Sequence, residues 1–266
     1  MKKTLLILFA ILTVSNQMVS AKNNTNEETV TIGNEFNKNN FKINLLALGL
    51  TNFSFQYERA LSRKFSVSMG IRLQPTTNLP FRNYIRDHAD KNQLDTVGLD
   101  FLNRAKINNW AFTPEVRYYF GHKPLNGFYV APYCRVSYYN LTWGYLFNDQ
   151  TNLTHTLDFR GEARSFTFGL MFGCQWHLGD NFLLDWWMIG PAYGSANFNA
   201  NANADLSQVS QQDRVKLESN LNNAFNSVGN SFKVSSHTTV SDKGVKIIGD
   251  APFGGVRTGF CLGFCF

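Results

Sequence analysis

Histidine and cysteine offer the most specific chemistry in this sequence, because they act as bases, nucleophiles and metal ligands. A catalytic nucleophile must lie within hydrogen-bonding reach of a base that a third group orients. Three of the five histidines fall in predicted long loops, one falls in a short turn, and one ends a strand. None lies on a strand near the outer rim of the predicted fold with a serine two residues away, so we predict that the protein is not an enzyme. The histidines are His88, His122, His155, His177 and His237.

The four cysteines predict neither a disulfide framework nor a metal site. Cys261 and Cys265 share one face of a strand about 13 Å apart, which is too far for a disulfide or a shared ion. Cys134 and Cys174 lie on the apolar faces of neighbouring strands, where a cross-strand disulfide has to be weighed against two small apolar fillers. We favour apolar fillers for all four and predict no cofactor and no metal.

Charged residues recur on strand faces that otherwise carry Gly, Ser, Thr and Tyr, opposite faces that are apolar and aromatic. This arrangement predicts a charge network inside a closed sheet. A gate or ion path is the alternative, but about eight strands leave an interior that their own side chains fill. We therefore favour an internal network in which the charges pair, since an unpaired buried charge is costly. The predicted members are Glu58, Arg72, Glu115, Arg117, Arg135, Asp185 and Arg257.

The elements that carry these residues alternate apolar and polar residues with a period of two, which contradicts a helix. Each segment has about ten residues, and a tilted strand crosses a bilayer with roughly 9–11. We predict eight strands, at residues 41–50, 53–61, 65–74, 110–120, 128–141, 166–177, 182–193 and 254–266.

The connections between the predicted strands also alternate in length. Those after the second, fourth and sixth strands are short, whereas residues 75–109, 142–162 and 194–253 form long intervals. Only the first turn, Thr51-Asn52, is short on the side of the long loops. Short turns on one side and long loops on the other are typical of outer-membrane barrels. We predict an all-β, eight-stranded antiparallel transmembrane β-barrel with both termini periplasmic; a soluble secreted β protein is the structural alternative.

The ends of the sequence fit that location. Residues 1–21 have two lysines, an apolar run and small residues before a cleavage site, so they are predicted to be a secretory signal peptide. Residues 22–40 form a polar leader, and residues 41–266 the barrel. The formal charge of +6 falls by two when Lys2 and Lys3 are removed, and no basic block suggests a nucleic-acid partner. A last strand that faces lipid and ends on an aromatic residue resembles the signal for barrel-assembly machinery. The predicted signal residues here are Phe260, Leu262, Phe264 and the terminal Phe266.

The last long interval predicts an amphipathic helix at residues 205–228 with Asp205 as N-cap. Its apolar stripe could lie on the rim, plug the interior or dock a partner. We predict an exposed hairpin after this helix, formed by residues 233–240 and 243–248. The stripe of this interaction helix contains Leu206, Val209, Leu217, Leu221 and Phe225.

Four runs resemble the DUF3575 family of Bacteroidota, whose members are predicted small outer-membrane barrels of unassigned function. They are NLLALGLTNFSFQYERALSRKFSVSMGIRLQP, FTPEVRYYFG, GFYVAPYCRVSYY and LLDWWMIGPAYG, and the resemblance spans residues 41–266. It implies fold and location but no catalytic residues. Family members often lie near fimbrial or surface-adhesin genes, which suggests a fimbrial or surface-protein partner.

Three functions remain open at this stage. The first is a non-enzymatic porin-like barrel at the cell surface that anchors or interacts through its outer loops, with membrane lipid and the assembly machinery as further partners. The second is a narrow pore or transport accessory. The third is a lipid-modifying outer-membrane enzyme, which the histidine positions disfavour.

Overall fold

A computed structural model describes residues 37–79, 82–83, 103–149, 153–232 and 235–266, with side chains omitted for residues 224–232. The predicted signal peptide and residues 22–36 of the leader lie outside the described residues. The leader ends earlier than expected, because the first strand already begins at Asn39. No helix in the described part of the chain is both long and apolar enough to cross a membrane.

The described residues form an all-β structure with two helices. The helices are α1 (Leu45–Leu48) and α2 (Gln211–Phe232). The strands are β1 (Asn39–Asn44), β2 (Phe53–Ala60), β3 (Phe65–Asn78), β4 (Lys106–Tyr119), β5 (Gly127–Asn148), β6 (Thr154–Leu178), β7 (Phe182–Asn203), β8 (Ser235–Ser241) and β9 (Gly244–Cys265).

All of these strands belong to one antiparallel sheet that closes into a ring. The order is β1-β2-β3-β4-β5-β6-β7-β9-β8, and β1 also pairs with β9. The last strand therefore lies between β7 and β1, as the sequence predicts, while β8 extends the sheet along the other end of β9.

The chain ends and the short turns lie together at one end of the ring, which we call the turn end. Asn39 donates its backbone N–H to the carbonyl of Phe266 at 3.2 Å. The side-chain amide of Asn37 donates to the carbonyl of Asp180, in the turn between β6 and β7, at 3.3 Å. The opposite end, which carries the long connections and α2, is the far end.

Several strands are about twice as long as predicted. The interval at residues 142–162 is almost entirely strand, because β5 continues to Asn148 and β6 begins at Thr154. The last strand begins at Gly244 rather than Gly254. The prediction failed because it followed apolar residues on one face only, and the apolar face changes sides along these strands.

The first predicted strand is shorter than expected. Its strand geometry stops at Asn44, whose side chain accepts the backbone N–H of Ala47 at 3.1 Å and caps the short helix α1. Asn is a favoured N-cap residue because its oxygen satisfies a free N–H of the first turn. The wall beside α1 consequently lacks strand pairing beyond Asn44.

The predicted interaction helix begins later than expected. It starts at Gln211, and Ser210 caps it by accepting the N–H of Asp213 at 3.1 Å. Asp205 is not the N-cap; its carboxylate accepts hydrogen bonds from Ser207, which lower the pKa of Asp205. Phe225 lies among the residues whose side chains are not described.

The described part of the predicted stripe packs against the inner face of the long strands at the far end: Leu217 and Leu221 of α2, together with Leu206 and Val209 before it. It forms a second core, separate from the interior of the ring below, together with the partly buried Trp143 and Phe198. We call α2, β8 and the far halves of β5, β6, β7 and β9 the far-end platform. Its buried residues are Leu157, Phe159, Ala200, Ala202, Leu206, Val209, Leu217, Leu221, Val245 and Ile247.

The register between β5 and β6 separates the two cysteines that sequence reasoning had set side by side. Cys134 faces Phe168, whereas Cys174 faces Phe128. All four cysteines are free thiols. Cys174 is buried, unlike the exposed apolar residues Phe172 and Trp176 on the same strand.

Candidate functional site

Lys42 lies at the centre of the charge network inside the ring. Its Nζ is 2.5 Å from Glu58 Oε2 on β2 and 2.6 Å from Asp185 Oδ2 on β7. It also donates to Gln175 Oε1 on β6 at 2.8 Å. Lys42, Glu58 and Asp185 have no solvent exposure, so this ammonium joins β1 to three other strands inside the ring.

Arg117 is the second cation of the network. Its Nη1 is 2.7 Å from Asp185 and 3.3 Å from Glu58, and its Nη2 is 2.5 Å from Glu115. The same Nη2 donates to Gln56 Oε1 at 2.7 Å. A guanidinium suits this position because its planar donors reach several acceptors at once.

Aromatic side chains saturate the remaining acceptors. Tyr119 donates its hydroxyl to Glu58 at 2.7 Å, and Tyr129 donates to Asp185 at 2.8 Å. The Arg117 guanidinium lies 4.4 Å from the centroid of the Tyr129 ring. With these rings in place, buried side chains fill this level of the interior.

Arg257 connects the network to the last strand. Its Nη1 pairs with Glu115 Oε2, and its guanidinium lies 3.9 Å from the centroid of the Trp187 ring. The Glu115 carboxylate is thus held between two arginines on β4 and β9. This pairing ties β9, which closes the ring, to the opposite wall.

The structure brings together five of the seven charges singled out in the sequence: Glu58, Glu115, Arg117, Asp185 and Arg257.

Arg72 and Arg135 face the same interior nearer the far end, and neither has a carboxylate partner among the described residues. Sequence reasoning missed Lys42, although it lies on the polar face of the first predicted strand. It also missed Gln56, Gln175, Tyr119 and Tyr129, whose inward positions follow from strand alternation alone.

The described histidines lie at separate places in the fold. His177 lies at the turn end, where its Nδ1 is 4.0 Å from Cys265 Sγ. His155 lies on β6 rather than in a loop; its Nε2 is 2.9 Å from Asp149, and its ring stacks on Phe147. His237 lies on β8 near Ser235 and Asp250, which face each other across β8 and β9, but it makes no hydrogen bond to a described residue. His88 lies outside the described residues. The described part of the chain contains no group of side chains that could hold a metal ion.

A family model described as a protein of unknown function, DUF3575, matches residues 3–215. The chain belongs to this family. The match covers β1 to β7 and the start of α2, so the last strand of this DUF3575 protein lies beyond it. No curated protein and no solved structure matches the chain.

The far-end platform of this DUF3575 protein protects its own sheet edge. Among the described strands β8 pairs only with β9, and α2 lies along its free side. Glu218 accepts the backbone N–H of Val240 at 3.3 Å, and Asn222 accepts that of Thr238 at 3.2 Å. Because an uncovered edge strand invites pairing with another chain, these two side chains stabilise the platform as a closed unit.

The apolar side chains of the last strand from Phe260 to Phe266 point away from the interior. Phe264 packs edge-on against Phe182 of β7, with ring centroids 5.7 Å apart, and stacks on Phe266. The alternate residues Cys261 and Cys265 are buried on the inner face. The predicted assembly-signal residues Phe260, Leu262, Phe264 and Phe266 are all exposed.

Proposed function

We propose that this DUF3575 protein is an eight-stranded transmembrane β-barrel of the outer membrane, with both termini periplasmic and a closed interior. It is non-enzymatic, and it anchors the far-end platform at the cell surface for interaction with a surface or fimbrial protein. The single observation that carries the proposal is a reversal of the apolar face along the long strands.

β6 illustrates the reversal. Toward the turn end its outward residues are apolar, as at Phe166 and Phe168, while the inward residues are Ser165 and Thr167. Toward the far end the outward residues are charged, as at Arg164, and the inward ones are apolar. Lipid around the half of β6 nearer the turn end, and water around the half nearer the far end, account for both patterns.

The height of the outward apolar band fits a bilayer. It runs from Phe65 to Leu73 on β3 and from Phe128 to Tyr138 on β5. These lengths match the roughly 9–11 residues that a tilted strand needs to cross. Trp110 stacks on Tyr138 at the upper edge of the band, with ring centroids 6.3 Å apart, as in the aromatic girdles of outer-membrane barrels.

The interior argues against a narrow pore. Lys42, Arg117, Tyr119 and Tyr129 fill one level of the ring and are fully buried. Eight strands enclose little more than their own side chains. We expect no steady single-channel steps in planar bilayers, and sizeable steps would favour the pore instead.

The interaction surface is the exposed side of α2, since its apolar stripe is already covered. Val215 is 62% exposed on this side, and Lys216 and Ser219 are exposed beside it. Val215 offers one apolar contact point on this polar side, which makes it the position for a crosslinking probe. The exposed side therefore replaces the stripe as the candidate contact.

Two experiments test the proposal. An unheated sample should migrate faster than a boiled one on a denaturing gel, whereas recovery in the soluble fraction would contradict the barrel. A photo-crosslinker at Val215 should capture a surface protein in intact cells. The matched probe at Ser62, in a turn at the other end, should not capture the same protein. No capture from Val215, or equal capture from both sites, would count against the interaction surface.

A further inference from the structure

Two arginine side chains, Arg72 and Arg135, face the interior between the charge network and the far end. Neither pairs with a carboxylate of a described residue. Arg135 donates from Nε to Thr113 Oγ1 at 2.9 Å, and Arg72 reaches Tyr139 Oη at 3.5 Å. The positive charges of Arg72 and Arg257 both act on Arg135. Partly buried cations that repel one another are costly unless an anion lies between them.

The described side chains inside the ring carry a net positive charge. Their three carboxylates, on Glu58, Glu115 and Asp185, are matched by Lys42, Arg117 and Arg257. Arg72 and Arg135 are therefore in excess by two positive charges.

Buried polar atoms without partners lie at the same level. Ser137 and Ser165 face each other across β5 and β6 and are 1% and 4% exposed, yet neither hydroxyl has a hydrogen-bond partner. The Nε atoms of Arg72 and Arg257 also have none. Buried polar groups are nearly always hydrogen-bonded, so this group of atoms indicates a missing polar ligand.

Open space lies beside Gly255 on one wall of the interior, where the neighbouring side chains of β7 are small. A Cβ placed on Gly255 of β9 would meet no atom within 4 Å. Tyr139 and Phe253 close the space toward the far end, with ring centroids 5.7 Å apart. The inward residues of β7 at this level include Ala192 and Ala196. We call the space bounded by Arg72, Arg135, Ser137, Ser165 and Gly255 the arginine chamber.

The wall beside the arginine chamber has a gap in its strand pairing. β1 pairs with β9 over Cys261 to Cys265, and β8 pairs with β9 only as far as Asp250. Between these points, residues 251–260 of β9 have no strand partner on that side in the described structure. Val256 in this stretch is 67% exposed, and α1 stands where β1 would have continued.

The register places this gap at the level of the chamber. Gly255 pairs with Ala192 of the small-residue wall, and Arg72 pairs with Ser54 near the start of β2, just after α1. Gly254 pairs with Tyr193, the last apolar outward residue of β7 before the polar far end. The gap therefore opens at the outer edge of the apolar band. The neighbouring surface of α1 is apolar, with Leu45, Leu46 and Leu48 exposed.

We propose that the arginine chamber binds the phosphate or carboxylate headgroup of an anionic amphiphile, whose acyl chain leaves over the unpaired residues 251–257 of β9, beside α1. Guanidinium groups recognise both headgroups by paired charge-assisted hydrogen bonds. The exposed leucines of α1 and Val256 give the acyl chain an apolar path. This inference rests on the proposed membrane location, because only there does the gap face lipid.

The test is a titration of the full-length protein, folded in dodecyl maltoside, with monododecyl phosphate. We expect saturable binding that the double variant Arg72→Gln/Arg135→Gln weakens at least tenfold, since hydrogen bonds to charged groups are lost. The matched control is Arg160→Gln, which removes an exposed arginine from the far-end platform and should leave the affinity unchanged. Equal binding by the double variant and the wild type would overturn the proposal.

Two further arms identify the source of the headgroup. Inorganic phosphate should bind at least tenfold more weakly than monododecyl phosphate, and Gly255→Phe, which fills the gap, should reduce monododecyl phosphate binding toward the inorganic value. Equal affinity for the two ligands, or full affinity in Gly255→Phe, would mean that the chamber takes a free anion and would overturn the amphiphile. Gel migration of the same unheated samples distinguishes failure of the chamber proposal from failure of the barrel proposal. A retained fast band without binding contradicts the chamber alone, and its absence in the wild type contradicts the barrel.

Discussion

The Nη1 atom of Arg117 on β4 lies 2.7 Å from the Oδ2 atom of Asp185 on β7. The two strands are three positions apart in the sheet order, so the pair crosses the interior of the ring. Both side chains are fully buried, and Lys42 shares the same carboxylate oxygen. The network thus connects opposite walls and fixes the shape of the ring from inside.

Replacing Arg117 with Met should destabilise the fold by about 3–5 kcal/mol, because carboxylates on three strands lose a shared cation while remaining buried. The free energy of unfolding can be measured by urea titration in lipid vesicles, monitored by tryptophan fluorescence. Arg160→Met, at an exposed arginine on β6, is the matched control and should change stability by less than about 0.5 kcal/mol. A loss below about 1 kcal/mol for Arg117→Met would contradict the structural role of the network.

Replacing Gly173 with Ala should also destabilise the fold, by about 1–3 kcal/mol. The added Cβ would overlap the Tyr129 ring, whose hydroxyl donates to Asp185. Gly255→Ala is the control, because its Cβ meets no atom within 4 Å. Thermal denaturation in detergent compares the two variants. If Gly173→Ala were as stable as Gly255→Ala, the Tyr129 side chain would be able to move aside without loss of stability.

The double variant Glu218→Ala/Asn222→Ala should loosen the free edge of β8. It removes the acceptors of the Val240 and Thr238 backbone N–H groups. Each such hydrogen bond contributes about 0.5–1.5 kcal/mol, so amide exchange at the two positions should accelerate by about three- to tenfold. Hydrogen–deuterium exchange read by mass spectrometry gives the rates. Asn220→Ala, on the exposed side of α2, should leave them unchanged.

Deleting Phe266, or replacing it with Asp, should reduce assembly more than a change on the platform surface such as Val215→Asp. Phe266 is exposed beside Phe264 on the outer face of the last strand, where the proposed barrel meets lipid and the assembly machinery. The measurement is the fraction of protein that shows the fast, unheated gel band in outer-membrane preparations. A normal fraction for Phe266→Asp would remove the terminal aromatic from the assembly signal.

Much of the ring is predictable from the sequence because strand alternation is a local property. Phe65 and Val67 on one face, with Ser66 and Ser68 on the other, already assign β3 and its inner face. The same alternation predicts which charges point inward. The alternation gave a wrong prediction at residues 142–162, where the inward side chains become apolar and the outward ones polar. The strand geometry is unchanged there, but the inward side chains pack against α2 instead of the charge network.

The amino-acid sequence by itself determined the strands of the ring, the position of β9 between β7 and β1, and the inward direction of its charges, since each follows from period-two alternation and chain order. Only the tertiary structure decided which charges pair. Arg117 and Asp185 are 68 residues apart and meet through the closure and register of the sheet, which leave Arg72 and Arg135 without a carboxylate among the described residues. The tertiary structure also decided that α2 packs on the far halves of the long strands and that β9 lacks a strand partner beside α1. Both depend on contacts between elements far apart in the chain.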